Sequence, residues 1–410
     1  MIDPNLCCWI WLQTALYQGS EKIPLIHERY KSAEQFYNLG FDGWRKSGIF
    51  SPKELSRLRD ISPKAAYEII DVSSRLGYDI LTPDMEEYPK RLLNIPDYPA
   101  ALYVWGSLEN IDDMVAIAVV GTRTSTPYGE KIAATLCYSL AKAGVIIVSG
   151  GANGIDSCAT NGALYANGKS IIVLGCGINT NYLSHNADMR KACAENGAVI
   201  SEYPPGTPAY GRNFPVRNRI MSGISLGTVV IEAPMKSGAL ITAKAAANQG
   251  RDVFAVPGSV LSEYSKGCNR LINDGAKAVN SPIDILEEYI GQYPHRITID
   301  YDNVKKSIIP QDENIDNDKR LKNYFINKPV HMAKAAQPEP EIKTKTMLND
   351  IDKNLSEDEK IIYSLLNKKP VHIDYLSEKS GLAPSRVSAA ITGLEIKSLI
   401  KQHPGRHFSL

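Results

Sequence analysis

Residues 116–121 read AIAVVG, and residues 145–150, VIIVSG, repeat the design of an unbroken apolar run that ends in Gly. A segment with helical character separates the two runs, and four similar runs follow. They are SIIVLG (170–175), GAVISE (197–202), TVVIEA (228–233) and DVFAVPG (252–258). Continuous Val and Ile runs are typical of strands whose two faces are both covered by helices. The pattern predicts an α/β fold, a doubly wound parallel sheet of extended Rossmann-like type, over residues 116–295.

The flanking sequence predicts four further regions. Residues 1–80 place apolar side chains at helical spacing between Gly and Pro breaks, which indicates a small helical domain of the SAM or helix-hairpin-helix type. Such a domain can bind DNA or only pack against its neighbour, and packing is the favoured interpretation. Residues 81–115 contain four prolines and predict an extended connector. Residues 296–352 mix charges and prolines, as flexible linkers do, and residues 353–410 predict a winged helix.

Composition restricts the kind of binding site that the chain can carry. The 46 Lys and Arg residues balance 45 Asp and Glu residues to a net charge of +1, so a nucleic-acid site must be a local patch. The seven cysteines form no CxxC pair, which favours free, mostly buried thiols in a reducing cytoplasm. The apolar run at residues 6–17 is too short to span a bilayer, so no membrane partner is expected.

The loops after the strands predict a site for an anion. In open parallel sheets, ligands bind beyond the carboxyl ends of the strands. Glycine lets a backbone approach a ligand closely, and helix N-termini there carry about +0.5 charge. The alternative is that loops of parallel sheets are generally rich in glycine, so that these glycines indicate no ligand site. The candidate residues at these strand ends are Arg123, Ser149, Gly150, Gly151, Asn153, Gly154, Asp156, Ser237, Gly238 and Thr242.

The stretch RNFPVRNR, residues 212–219, follows the fourth strand and has the chemistry of a single-stranded nucleic-acid site. Its arginines can meet phosphates, its phenylalanine can stack on a base, and its asparagines can donate to phosphates or base edges. The alternative is that the arginines pair with acids elsewhere in the fold. The candidate contacts are Arg212, Asn213, Phe214, Arg217, Asn218 and Arg219.

Three enzyme motifs come close and fail. No GxGxxG is present, Gly168-Lys169-Ser170 precedes a strand where a phosphate-binding loop would follow one, and GISLG (223–227) also precedes its strand. The histidines are scattered, so we expect no catalytic residue, no metal site and no cofactor. Two alternatives stay open. One is a nucleotide-hydrolysing enzyme that uses Asp156 or Glu232, and the other is a transcription regulator that reads duplex DNA with its winged helix.

The motifs themselves resemble one family. They occur in order over residues 116–290, and the helical start and winged-helix end fit longer members. The matching pieces are VVGTRTSTPYG (119–129), SGGANGID (149–156), LGCGIN (174–179), SEYPPGTP (201–208), NFPVRNRIMSGIS (213–225), EAPMKSGALITA (232–243), FAVPGS (254–259) and SKGCNRLINDGA (265–276). The chain thereby resembles the DNA-processing protein A (DprA/Smf) family.

The resemblance implies a cytosolic protein that binds single-stranded DNA without catalysis, works as a homodimer, and loads the RecA recombinase onto incoming strands in natural transformation. The dimer surface would lie around residues 240–280. The implied pocket consists of Arg123, Gly150, Gly154, Asp156, Arg212, Asn213, Phe214, Arg217, Asn218, Arg219, Ser237 and Gly238, and we add Lys236 from the adjoining motif.

The chain also departs from the family pattern. Leu, Arg and His are common where this sequence has Gly151, Asn153 and Thr160, so a cation and an imidazole are lost at the predicted rim. Arg123 and the arginines of residues 212–219 remain, so the prediction of DNA binding is kept. In the winged helix, the predicted third helix exposes Ser385, Arg386, Ser388, Thr392 and Lys397. Duplex DNA, a protein contact and a structural role all stay open for it.

Overall fold

The computed structural model describes residues 2–298, 355–366, 371–397, 399–403 and 407–409. The predicted linker, residues 296–352, lies almost wholly outside these ranges. The chain divides into two compact units, Met1–Pro329 and Val330–Leu410, and each is considered by itself.

Within the described part of the first unit, nine strands form one sheet in the order β1-β2-β6-β5-β4-β3-β7-β8-β9. Neighbours pair in parallel except at β1–β2 and β2–β6, which are antiparallel. The strands are β1 (Asp79–Leu81), β2 (Leu102–Gly106), β3 (Ala116–Val120), β4 (Ile146–Ser149), β5 (Ser170–Leu174), β6 (Gly197–Ser201), β7 (Gly227–Val230), β8 (Asp252–Ala255) and β9 (Lys277–Ala278). The predicted doubly wound parallel sheet is confirmed, and the six apolar runs are β3 to β8.

The sequence did not predict two of the strands: β1 lies across the boundary between the predicted helical domain, residues 1–80, and the predicted connector, residues 81–115, and β2 lies within that connector. They add an antiparallel edge to the sheet, with β2 paired to β6. Their prolines lie between the strands, where the missing N–H costs no ladder bond.

The chain builds the sheet outward from β3 in two directions. Strands β4, β5 and β6 are added on one side of β3, and β7 and β8 are added on the other. The loops after β3 and β7 therefore separate, and they open a crevice at the carboxyl edge of the sheet. All five residues of β3 are buried, as expected for a central strand covered on both faces. The topology puts the expected ligand site at the ends of β3 and β7.

Helices occupy the start of the chain and cover the sheet. At the start lie α1 (Pro4–Leu16), α2 (Lys22–Tyr30), α3 (Ala33–Asn38), α4 (Gly40–Lys46), α5 (Pro52–Asp60) and α6 (Ala66–Arg75). Against the sheet lie α7 (Pro127–Lys142), α8 (Ile155–Tyr165), α9 (Ala187–Glu195), α10 (Asn213–Ile224), α11 (Gly238–Asn248), α12 (Lys266–Asn273) and α13 (Ile283–Tyr289).

The first helix joins the helical start of the chain to the sheet. Trp9, Trp11 and Leu12 of α1 are buried in the same apolar core as strand residues. Buried Gln13 donates to the carbonyls of Ala101 and Glu202 at 3.0 and 2.6 Å and accepts from the Ala101 N–H at 2.7 Å. Because all these groups are paired away from water, the helical start packs as a fixed part of this unit.

In the described part of the second unit, three helices pack beside a small antiparallel sheet in the order β10-β12-β11. Ser356 and Glu359 form a capping box at the first of these helices. The elements are α14 (Glu357–Leu365), β10 (Val371–His372), α15 (Ile373–Ser380), α16 (Pro384–Ile396), β11 (Lys401–His403) and β12 (His407–Ser409). This element order is that of a winged helix, and it confirms the predicted C-terminal domain.

Two further expectations from the sequence concern the burial of the cysteines and the length of the apolar helices. All seven cysteines lie in the described ranges, where they are buried and free of disulfides. Across the residues that can be described, every helix is too short or too polar to pass through a bilayer.

Candidate nucleic-acid interface

A cavity of about 510 Å³ opens at the carboxyl ends of β3 and β7. The loop after β3, the first turns of α10 and the start of α11 form its walls. Many of the predicted site residues meet there, although they are far apart in sequence. Those that line the cavity are Arg123, Asp156, Phe214, Arg217, Asn218, Lys236, Ser237, Gly238 and Thr242.

The floor of the cavity holds two buried groups of opposite charge, the Arg217 guanidinium and the Asp156 carboxyl, which interact electrostatically. The Arg217 guanidinium donates to the carbonyls of Gly150, at 2.9 Å, and Val173. Burial raises the pKa of the Asp156 carboxyl, while the positive charge of Arg217 and the N–H groups of Ala152 and Gly150 oppose that rise. A Cβ at Gly150 would lie 2.6 Å from both the Arg217 Nη2 and the Asp156 Oδ2, so only glycine fits between them. Arg217 thus ties the loop that follows β4 to strand β5.

Phe214 presents a ring to the cavity with a cation above it. The exposed Arg123 guanidinium lies 5.2 Å from the centre of the half-buried Phe214 ring. The Tyr182 ring packs beside it, with its centre 5.2 Å away and its plane tilted by 42°. A Cβ at Gly175 would lie 3.0 Å from the Phe214 ring, so this glycine also lets the ring sit close to the sheet. The arrangement suits a base next to a phosphate.

The N-terminus of α11 faces the same cavity. Ser237 caps this helix, because its Oγ accepts the N–H of Ala239 at 3.2 Å. Apart from its two chain neighbours and the backbone of its own helix, no described atom lies within 4 Å of the position where a Gly238 side chain would begin. The first turn of an α-helix leaves N–H groups without partners in the helix, and its dipole favours an anion. With exposed Lys236 beside it, this helix start can receive a phosphate.

Other predicted residues shape the surrounding loops and do not line the cavity. The Ser149 hydroxyl donates to the Val119 carbonyl at 2.8 Å, and Asn213 donates to the Gly175 carbonyl at 3.1 Å. Asn153 is exposed and contacts His185, 2.7 Å away. The remaining such residues are Gly150, Gly151, Gly154, Arg212 and Arg219.

Two of these glycines and one arginine have clear local reasons for their positions. Gly151 and Gly154 have φ values of 63° and 74°, which side chains rarely adopt. A Cβ at Gly154 would also lie 2.5 Å from the Thr122 carbonyl oxygen. Arg212 is exposed at the start of α10, and its guanidinium lies 5.2 Å from the centre of the Tyr210 ring.

Arg219 is not directed toward the cavity. It is buried and pairs with Glu202 at 2.7 Å and with Asp97 at 3.0 Å. Successive residues of an α-helix are about 100° apart, so Arg219 points away from the side that Arg217 occupies. For Arg219, the structure favours the alternative interpretation, in which the arginine pairs with acids elsewhere in the fold. A phosphate contact would require breaking both pairs.

The cavity also contains residues that are not among the site candidates. They are Gly121, Thr122, Thr124, Pro215, Met221 and Ile241, among others. Gly121, Thr122 and Thr124 directly follow β3, so they belong to the strand-end residues that the sequence places near a ligand. Tyr182, which supports Phe214, was recognisable only as one aromatic residue in a loop after β5.

The carboxylates considered for an enzyme have structural partners. Glu232 accepts from the Thr126 N–H at 3.0 Å and from the Thr126 hydroxyl at 2.6 Å, at the start of α7. Asp156 is buried, accepts from the N–H groups of Ala152 and Gly150, and interacts electrostatically with Arg217. Ser225 of the GISLG motif is buried, ends α10, and donates to the Met221 carbonyl at 2.8 Å. These groups are therefore engaged in holding the fold.

Comparisons with known proteins show what this chain is similar to. A family model described as DNA recombination-mediator protein A matches residues 79–290, and one described as DprA winged helix domain matches residues 348–406. Protein Smf of Synechocystis sp. is 35% identical over 333 residues, which are 80% of this chain and 79% of the relative. Protein Smf of Escherichia coli is 45% identical over 209 residues, 51% of this chain and 56% of the relative.

One solved structure is also similar. The X-ray structure of DNA processing protein A from Streptococcus pneumoniae is 33% identical, with a TM-score of 0.60. The match covers 68% of this chain and 96% of that chain. The family match extends over the sheet, from β1 to α13, and so includes every wall of the cavity.

Proposed function

Because the chain belongs to the family of DNA recombination-mediator protein A, whose role is DNA processing in recombination, we propose that it binds single-stranded DNA in the crevice beyond β3 and β7. The strand would be held there and left chemically unchanged. The observation that carries this proposal is the half-buried Phe214 ring at the edge of an open cationic cavity, with the Arg123 guanidinium 5.2 Å from its centre.

The cavity offers a separate partner for each part of a nucleotide. Phe214 can stack on a base, and base–aromatic stacking is worth roughly 1–3 kcal/mol. Arg123, Lys236 and the start of α11 can hold phosphates through charge and backbone N–H groups. A base in a duplex is already stacked and paired, so an unpaired strand reaches Phe214 at lower cost. These features favour single-stranded over duplex DNA.

Loading of the RecA recombinase and self-association extend the proposal. A strand held by one edge of the sheet keeps its outer face accessible to a recombinase. Within residues 240–280, Val260 and Leu261 expose 79% and 90% of their surface. Exposed apolar side chains of this size are typical of protein contacts, and we assign this loop to the interface of a homodimer. Two linked sites would raise the avidity for one long strand without new contacts.

The test is a binding titration of the full chain with labelled oligo(dT), with unlabelled duplex as competitor. We expect oligo(dT) to bind at least tenfold more tightly than duplex, and the recovered oligonucleotide to have its original length. Sedimentation of the free chain should show a dimer. Equal affinity for duplex, or cleavage of the oligonucleotide, would refute the proposed mode of binding.

A further inference from the structure

Two loops beside the crevice meet through an exposed contact between Asn153 and His185. Asn153 belongs to the loop after β4, and His185 belongs to the loop after β5. The ring Nε2 of His185 lies 2.7 Å from the Asn153 Oδ1, and an amide oxygen only accepts, so the imidazole donates. The Asn153 Nδ2 makes no hydrogen bond to any described residue. The contact therefore fixes the amide and leaves its donor side available to a ligand.

The loop after β4 places Asn153 at the rim of the cavity. Ala152, the residue before it, lines the cavity. Gly154, the residue after it, packs against the loop that carries Arg123. A Cβ at Gly154 would lie 2.8 Å from the Arg123 carbonyl oxygen. Asn153 is thus held between a cavity residue and the loop of the exposed rim cation.

The loop after β5 brings His185 to the same rim. Tyr182, three residues earlier, has its ring centre 5.2 Å from the centre of the Phe214 ring. Burial raises the pKa of the Tyr182 hydroxyl, and the positive charges of Arg123 and Arg217 oppose that rise. The hydroxyl is therefore near both guanidinium groups of the crevice, and the loop that carries His185 borders the stacking ring.

The fold does not depend on this exposed contact to hold the two loops together. Buried Asn186 already donates to the Gly151 carbonyl at 3.3 Å across the same loops. Buried Arg190 donates to the carbonyls of Tyr182 and Leu183 at 2.8 and 3.2 Å. An exposed hydrogen bond adds little net stability, because water competes for both partners. The contact thus stands on a surface that is already rigid, as a binding contact requires.

We propose that Asn153 is a phosphate contact of single-stranded DNA and that His185 is the residue that positions it. The inference rests on the proposed function of the crevice. One phosphate would meet Lys236 and the start of α11 on the β7 side, a base would stack on Phe214, and a second phosphate would accept from the Asn153 amide on the β4 side. Strands β7 and β4 flank β3, about 10 Å apart, so this path suits a polynucleotide better than a mononucleotide.

The decisive variant is Asn153→Asp, measured in the full chain by fluorescence anisotropy with labelled oligo(dT). Its carboxylate still accepts from His185, so the contact between the loops is kept, but the phosphate donor becomes a negative charge. We expect affinity to fall about tenfold or more in Asn153→Asp and about fivefold in Asn153→Ala, the latter with an unchanged salt slope, because a neutral donor releases no counterion. Asn167→Asp adds the same charge at an exposed residue between α8 and β5, at the opposite edge of the sheet, and should bind as the parent does.

Two variants of His185 test its positioning role. Glutamine can still donate to the Asn153 Oδ1 and alanine cannot, so His185→Ala should lower the affinity about threefold and His185→Gln should restore it. In the Asn153→Ala background neither change should matter, because His185 acts through Asn153; additive losses would refute positioning. Parental affinity in Asn153→Asp or Asn153→Ala, or an equal loss in Asn167→Asp, overturns the phosphate contact while the crevice stands. Failure of the parent chain to bind oligo(dT) refutes the proposed function itself.

Discussion

At the scale of single residues, Arg217 and Arg219 show how one residue type takes two roles within one short stretch. Arg217 lines the cavity, and Arg219 is buried against Asp97 and Glu202. The sequence predicts a cationic stretch with a stacking ring, and the family resemblance adds its place in a pocket. The pairing of Arg219 is not readable from sequence, because Asp97 comes near only when the segment before β2 folds against α10.

Arg123 provides the cleanest test of a phosphate contact. Its guanidinium is exposed above the Phe214 ring, so its removal should not disturb the core. Arg123→Gln is expected to lower the salt slope of oligo(dT) affinity by about 0.7. Fluorescence anisotropy across a range of salt concentrations measures this slope. Arg75→Gln is the control, since Arg75 is exposed on α6 and pairs with Asp71. A slope equal to that of the parent would exclude a phosphate contact.

Arg217 is a poor residue for the same experiment. Its substitution would leave Asp156 buried beside unpaired carbonyls, and breaking a buried charge pair costs about 3–5 kcal/mol. Loss of binding in such a variant would report loss of folding.

Substitution of Phe214 tests the contribution of base stacking separately from that of charge. Phe214→Ala should weaken oligo(dT) binding by roughly 1–3 kcal/mol, about 5- to 150-fold, with the salt slope unchanged. The reason is that the ring contributes contact with a base and carries no charge. The same anisotropy titrations measure both quantities, and circular dichroism checks that the variant is folded. If the folded variant binds as tightly as the parent, the base does not stack at this position.

At the scale of secondary-structure elements, α10 is held from both sides. Asn213 and Arg217 tie its cavity side to the loops after β4 and β5, and Arg219 ties the opposite side to Glu202 and Asp97. The apolar runs predict the parallel strands well, because both faces are buried and the runs are continuous. The edge strands β1 and β2 could not be predicted in the same way. They are short, lie among prolines, and depend on antiparallel pairing with β6.

The anchor at Arg219 predicts a pH-dependent effect on stability. Arg219→Met should lower the free energy of unfolding by about 3–5 kcal/mol at pH 7, because two carboxylates lose their shared cation. Burial raises the pKa of both Asp97 and Glu202. A raised pKa means that the folded state takes up protons first as the pH falls, which stabilises it relative to the unfolded chain.

Without Arg219 these pKa values should rise further, so the stability penalty of Arg219→Met should shrink as the pH is lowered from 7 toward 5. Urea unfolding of the parent chain and of Arg219→Met at several pH values measures this stability penalty. Leu58→Ala, which removes a buried side chain without a charge, serves as the control with a penalty that does not depend on pH in this way. A constant penalty for Arg219→Met would show that the pair does not anchor α10 electrostatically.

At the scale of the whole molecule, the net charge is close to zero, so the local distribution of cations decides which surface can bind DNA. In the first unit, Arg123 and Lys236 stand exposed at the cavity. In the winged helix, the cations of the third helix and its end have acidic partners. Arg386 donates to both carboxylate oxygens of Asp358 at 2.8 and 2.6 Å, and Lys397 contacts Glu359 at 2.7 Å. The sequence suggested weak basicity for this helix, and the pairing reduces it further.

This distribution predicts that the crevice binds single strands without the winged helix. Deletion of residues 355–410 should leave oligo(dT) affinity within about twofold and keep the same salt slope, because none of the phosphate contacts would be removed. A transcription regulator would instead lose its DNA binding with this domain. Asp358→Asn combined with Glu359→Gln is the complementary variant, since it frees Arg386 and Lys397. If α16 reads a major groove, the variant should bind duplex DNA more tightly; unchanged duplex affinity would favour a protein contact for this domain.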